Sequence, residues 1–250
     1  MIRMNYNLVP EDRRAFMENR YAGNIMSGFD DVVNETWEWL QTDEARDFYN
    51  NQRGMLNEFF HTSGINDRWN DIIDARSRKG VDIATEIYEY ARRMNLEDNI
   101  IPYTPQERIA LNGLCDSTYS LIRNVGEDQV RGIRQRLLRD YANGVNPRKT
   151  SLREVQLEPI NGWTPEQRAV VIARTETARE INSATLQTYM ADGIQFVTLL
   201  VSSNCEECLA YAENPDGSER LVPIGEALED PCIHPNCRCA WVPSTGQMIQ

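Results

Sequence analysis

At 250 residues with 41% hydrophobic side chains, the chain is long enough to bury a substantial core in one large domain or two small ones. A net charge of −12 argues against a surface wrapped in nucleic acid, and only two histidines exclude an HExxH pair and leave little room for a Ser-His-Asp triad. No phosphate-loop, GxGxxG or GxSxG motif occurs, and no apolar run approaches the about 20 residues of a membrane span. Residues 1–10 lack the basic head and apolar stretch of a secretory signal, so folding in the cytosol with no membrane partner is expected.

Taken in chain order, the first 148 residues read as a helical region and 149–250 as a second domain, an α+β organisation in which helices precede a small antiparallel sheet. Ala45, Phe48, Tyr49, Gln52, Leu56, Phe59 and Phe60 fall near one helical stripe, and Trp69, Ile72, Ile73, Ile83, Ile87, Tyr88 and Met94 mark helical pieces around Gly80. Thr104-Pro105-Gln106-Glu107 predicts a capping box opening a helix that runs to about Asn124. A further helix is predicted from Glu127 to Tyr141, stopped by Asn143-Gly144 and Asn146-Pro147, with a domain boundary near 145–150. Ser151 to Glu154 caps a short helix, and Thr164-Pro165-Glu166-Gln167 caps a long one that reaches about Ala191 and ends at Gly193. Beyond it the period changes: Ile194 to Val201 and Arg220 to Ile224 read as extended segments on either side of an Asn214-Pro215-Asp216-Gly217 turn.

Charge is unevenly spread. Residues 101–150 carry 8 basic and 5 acidic side chains, whereas 1–100 carry 12 and 19, and 151–250 carry 6 and 14. Arg131, Arg134, Arg136 and Arg139, with Arg123, Arg148 and Lys149 nearby, form a weak candidate contact for packaged DNA; at about 100° per residue they make only a loose stripe. The competing reading is a solvated or partner-facing helix with Ile133, Leu137 and Tyr141 inward.

Five of six cysteines and one of two histidines fall between 205 and 239, as Cys205-x-x-Cys208 and Cys232-x-His234-x-x-Cys237-x-Cys239. Two short ligand pairs from separate loops suit a tetrahedral ion of zinc type, and four protein ligands would make its role structural. Cys205, Cys208 and Cys237 are the best three ligands; His234 and Cys239 compete for the fourth, with Cys232 behind them. Disulfides fit poorly with a chain lacking a secretion signal, and a redox CxxC needs a βαβ setting that the neighbouring sequence does not offer. A zinc-containing DNA-binding or nuclease-like protein is the alternative function. A nuclease of that kind needs a general-base histidine and further ligands, and only His234 is at hand.

Ala173-Arg174-Thr175-Glu176-Thr177 with Asn182 and Tyr189, then Gly193, the strand, Cys205-x-x-Cys208 and His234-Pro235-Asn236-Cys237-Arg238-Cys239 occur in the order seen in the Mu F-like phage head morphogenesis family. Over residues 150 to 243 the chain resembles these minor head proteins, departing where the family usually has a strand tryptophan and an Asp-containing turn before the CxxC. The resemblance implies a non-catalytic virion protein near the portal vertex of the head, present in host cytoplasm during assembly. Its implied partners are the portal protein and the major capsid protein, and its implied work is head morphogenesis and DNA retention or delivery. The helical N-terminal region is then the expected partner contact, with Trp37, Trp39, Trp69, Phe59 and Phe60 as candidate anchors.

Overall fold

The computed structural model describes residues 8–51, 60, 64–96, 101–146, 152, 162–202 and 205–244. Its helices are α1 (Glu11–Leu40), α2 (Asp43–Asn51), α3 (Gly64–Asn95), α4 (Pro105–Ala142) and α5 (Pro165–Ala191), followed by β1 (Phe196–Leu200), α6 (Glu206–Ala212), β2 (Val222–Pro223), α7 (Ile224–Glu229) and β3 (Ala240–Pro243). The α+β expectation holds. Two compact units form, each from separated stretches: one from Ala22–Gly80 and Thr118–Ala169, the other from Met1–Tyr21, Val81–Ser117 and Val170–Gln250. The boundary expected at 148 and the helix expected from Ser151 to Glu154 fall, apart from Leu152, outside the described residues.

The first unit is a helical core around stacked aromatics. Trp39 lies 6.2 Å from Phe60, and Phe60 stacks on Trp69 at 6.0 Å. Around them close Val32, Leu40, Ile65, Ile73, Val130, Ile133 and Leu137. Trp69 satisfies its buried indole N–H by donating to Thr36 Oγ1 at 2.9 Å. Three of the expected partner anchors are therefore core: Trp39, Phe60 and Trp69 are fully buried, Trp37 is exposed, and Phe59 lies outside the described residues.

Two helices run further than their sequence suggests. The break expected between Asn124 and Glu127 is absent, and α4 is continuous through Gly126; α3 likewise runs unbroken through Gly80. These glycines act as close-approach points rather than stops. A Cβ on Gly126 would sit 2.7 Å from Ile73 Cγ1, and one on Gly80 would sit 2.0 Å from Ile122 Cδ1. Contact between α3 and α4 at this depth outweighs the roughly 1 kcal/mol that an interior glycine costs a helix.

The second unit places α5 against the small sheet. Both expected capping boxes form: Thr104 N–H donates to Glu107 Oε2 at 2.7 Å and Glu107 N–H to Thr104 Oγ1 at 3.1 Å. Thr164 and Gln167 bond reciprocally at 3.0 and 3.2 Å. Helix α5 stops where Gly193 adopts φ 83° and Ile194 N–H reaches back to Tyr189 carbonyl at 3.0 Å. The sheet is antiparallel in the order β2-β1-β3, with Val197 opposite Val222 and Leu199 opposite Trp241. Val197, Leu199, Val222 and Trp241 pack with Leu186 and Tyr189 of α5 and with Cys208, Cys237 and Cys239. Strand β3, four residues just after the last cysteine, carries too short a pattern to be read from the chain alone.

Gly126→Ala should lower stability by about 1–2 kcal/mol through overpacking against Ile73. Gly113→Ala in the same helix, where nothing lies within 4 Å, should raise it by about 0.5–1 kcal/mol; urea unfolding of the two variants checks the pair. A second expectation concerns the buried Arg92–Glu107 pair, 2.7 Å apart. Burial pushes the Glu107 carboxyl up, but the bonds from Arg92 and Thr104 outweigh it and hold it below the usual carboxyl range. A carboxyl depressed on folding stabilises above its unfolded value and loses that contribution as pH falls through the folded one. Glu107→Gln should thus be less stable at neutral pH by roughly 1–3 kcal/mol, with the gap narrowing below about pH 4.5 in urea melts.

Candidate metal centre

Helix α6 starts immediately after Cys205, whose carbonyl accepts Leu209 N–H at 2.9 Å. A three-residue step along a helical turn brings the Cys205 and Cys208 thiols to one side. The opposite wall is the irregular loop Pro231 to Cys239. Within it His234 carbonyl accepts Cys237 N–H at 3.2 Å across a turn with Pro235 at its second position and Asn236 at φ 66°. Proline presets one dihedral and asparagine tolerates the left-handed one, which is the reason this turn uses that pair.

The two walls meet. His234 Nε2 lies 3.1 Å from Cys205 Sγ and 3.0 Å from Cys208 Sγ, and Cys208 Sγ lies 3.6 Å from Cys237 Sγ. Ligand atoms group as two triads, Cys205–Cys208–His234 and Cys208–Cys237–Cys239, sharing Cys208 and each spanning no more than 4.8 Å. All five residues expected as ligands are brought together. The thiol of Cys232, the sixth candidate, points to His234 carbonyl at 3.4 Å instead.

These groups can hold a metal ion. Ligand atoms bound tetrahedrally at about 2.0–2.3 Å lie roughly 3.5–3.8 Å apart, so the observed spacings need shifts of only fractions of an ångström to about 1 Å. His234 Nδ1 lies 2.8 Å from Pro235 carbonyl, which holds the proton on Nδ1 and frees Nε2 as ligand. Burial pushes the Cys208 thiol far up, helped by Cys239 and Cys237; hydrogen bonding to Cys237 and burial do the same for Cys239. A divalent cation reverses this preference for neutral thiols, so uptake must release protons.

Helix α5 holds the loop from behind. Asn236 N–H donates to Thr175 Oγ1 at 2.8 Å, and Arg174 Nη1 donates to Asn236 Oδ1 at 3.2 Å. Asn182 Nδ2 donates to the buried carbonyls of Pro231 and Cys239 at 2.8 and 3.1 Å. Glu176 faces away from Arg174 and pairs with Arg179 at 2.7 Å; burial raises its carboxyl. Arg174 and Glu176 therefore form no catalytic pair with each other. Sequence reading missed a third support from α1, where Arg14 donates to the carbonyls of Arg238 at 2.9 Å and Cys237 at 3.3 Å. Only long-range folding brings residues this far apart in the chain together, so no local signal marks them.

The four arginines proposed for DNA do not act as one stripe. Arg131 pairs with Asp128 at 3.0 Å and Arg136 with Asp140 at 3.1 Å. Arg134 lies over the Trp69 ring at 5.2 Å and bonds Asn66, while Arg139 is exposed. Arg123 pairs with Glu127 at 2.9 Å; Arg148 and Lys149 lie outside the described residues. Among the described residues, no helix is long and apolar enough to cross a membrane. No family model, no curated protein and no solved structure matches this chain.

Asn182→Leu should destabilise the unit by about 2–4 kcal/mol, because two buried carbonyls each lose their donor. Cys208→Ser, which removes the vertex of both triads, should speed amide exchange across residues 194–244 and leave the helices of the other unit unchanged. Hydrogen exchange with urea unfolding reads both.

Proposed function

We propose that the protein is a minor head protein of a tailed phage, associated with the portal and acting in head morphogenesis and in DNA retention or delivery. The observation that carries the reading is the joining of the two motif blocks. Thr175 and Arg174 of the helical block bond Asn236 of the closing block, and Asn182 donates to the Cys239 carbonyl. Residues that carry the family resemblance are thus one another's contacts, as a motif selected for architecture would require. The role is structural rather than catalytic: a cluster of four or five thiolate and imidazole ligands leaves no open position for a water.

The ion proposed for the cluster is zinc, since a soft thiolate set with one imidazole suits a d10 cation bound tetrahedrally. Zinc would staple the small sheet, whose two-residue and four-residue outer strands offer little pairing of their own. Contact with the portal is assigned to the helical region, where Trp37 alone of the described expected anchors is exposed and Phe16, not among them, is exposed as well. DNA contact through Arg131, Arg134 and Arg136 would compete with the partners these three already have inside the chain.

Expression of the tagged full chain during infection by its phage tests the assignment. Co-purification with portal protein and recovery of the tag in finished heads are expected. A chain left wholly in the soluble fraction, with normal heads formed in its absence, would overturn it. Elemental analysis should find zinc bound to the purified chain, and metal-free protein with Cys205 and Cys208 oxidised to each other would refute the staple.

A further inference from the structure

Glu18 is a buried carboxylate in the second turn of α1, in the unit that carries the cysteine cluster. Three guanidiniums converge on it: Arg238 Nη2 at 2.5 Å, Arg14 Nε at 3.4 Å and Arg174 Nε at 3.5 Å. Each comes from a different part of the metal-loop assembly. Arg238 sits between Cys237 and Cys239, Arg174 holds Asn236 from α5, and Arg14 caps the carbonyls of Cys237 and Arg238. Glu11, two turns earlier on the same face of α1, takes the other side of Arg238 at 2.7 Å.

A carboxylate this buried needs cations close by; Glu18 Oε2 takes Arg238 and Arg174 while Oε1 has only the Arg14 ion pair and no hydrogen bond, and three cations against Glu18 and Glu11 leave one positive charge in excess. That excess lies against the backbone of Cys237, beside a cluster that turns anionic when several thiolates bind one divalent ion. The pairing geometry and the charge balance therefore favour the same loop conformation that ligation needs.

We propose that the first two turns of α1 form a clamp on the metal-binding loop, with Arg14 and Glu18 as positioning residues, so that metal affinity and the order of residues 11–21 rise and fall together. The inference rests on the cluster binding metal. It makes the start of the chain an outer support of a site more than 180 residues away in sequence. Such outer supports of ligands typically change metal affinity by about 10–100-fold when removed.

The test uses the full chain and zinc, with affinity measured by competition against a chromophoric chelator. Glu18→Gln should weaken zinc binding by about 10–100-fold. Arg14→Lys, a milder variant that keeps a charge beside Glu18 and loses the fork onto two carbonyls, should weaken it by about tenfold. In the unaltered chain zinc should slow amide exchange of residues 11–21 beyond the general slowing that a stabilised unit shows, and Glu18→Gln should abolish that excess. Both variants binding zinc within about threefold of the unaltered chain, or exchange at 11–21 indifferent to zinc, overturns the clamp. An unaltered chain that binds no zinc removes the metal reading and the clamp with it, and that outcome is visible before any variant is made.

Discussion

Nine residues from Pro231 to Cys239 have neither helix nor strand to pair their peptide groups, yet Cys232, Cys237 and Cys239 lie in the core. Buried backbone polar groups must find partners, and beside a few bonds within the loop the partners here are side chains sent in from outside it. Asn182 supplies two donors, Trp241 Nε1 a third at 3.2 Å to Pro231 carbonyl, and Arg14 two more, while Thr175 accepts. Much of the unit's architecture follows from this one requirement. Helix α5 is buried on nearly all sides yet keeps Asn182, which bonds two carbonyls of the loop, while Thr185 and Thr188 satisfy their hydroxyls on the carbonyls of Ile181 and Ala184 one turn earlier in the helix.

The same requirement explains how so small a sheet persists. Strand β2 has two residues and β3 four, a ladder too short to stand alone. Its inner face is closed by α5 on one side and by cysteines on the other, and those cysteines are placed by the loop that α5 and α1 hold. A metal ion bound there adds a covalent-like tie to a conformation already favoured by hydrogen bonds. Preorganisation of this kind raises affinity because less loop order remains to be created on binding.

In the helical unit the governing constraint is close packing. The aromatic stack of Trp39, Phe60 and Trp69 consumes side chains that, exposed, would have served as partner anchors. Arginines follow a parallel course: a chain with 26 basic residues, nearly all arginine, pairs many of them internally with carboxylates. The surface left to a partner is thus less aromatic than composition suggests, and many of its arginines already face carboxylates.

What the sequence alone determined here is local. Capping boxes at Thr104 and Thr164, the stops at Gly144 and Gly193 and the turn at Gly217 depend on residues within one turn of each other, so their chemistry is legible in order along the chain. The cysteine cluster was legible as well, since ligand type and short spacing both survive in the sequence. Only tertiary structure decided that Gly80 and Gly126 interrupt nothing, because their meaning lies in Ile122 and Ile73 packed against them from another helix. It also decided that Arg14 and Glu18 belong with Arg238, residues 224 and 220 positions away. A one-dimensional pattern records periodicity and spacing but not which distant side chain fills a gap or meets a buried charge, and those two facts exist only once the chain has folded.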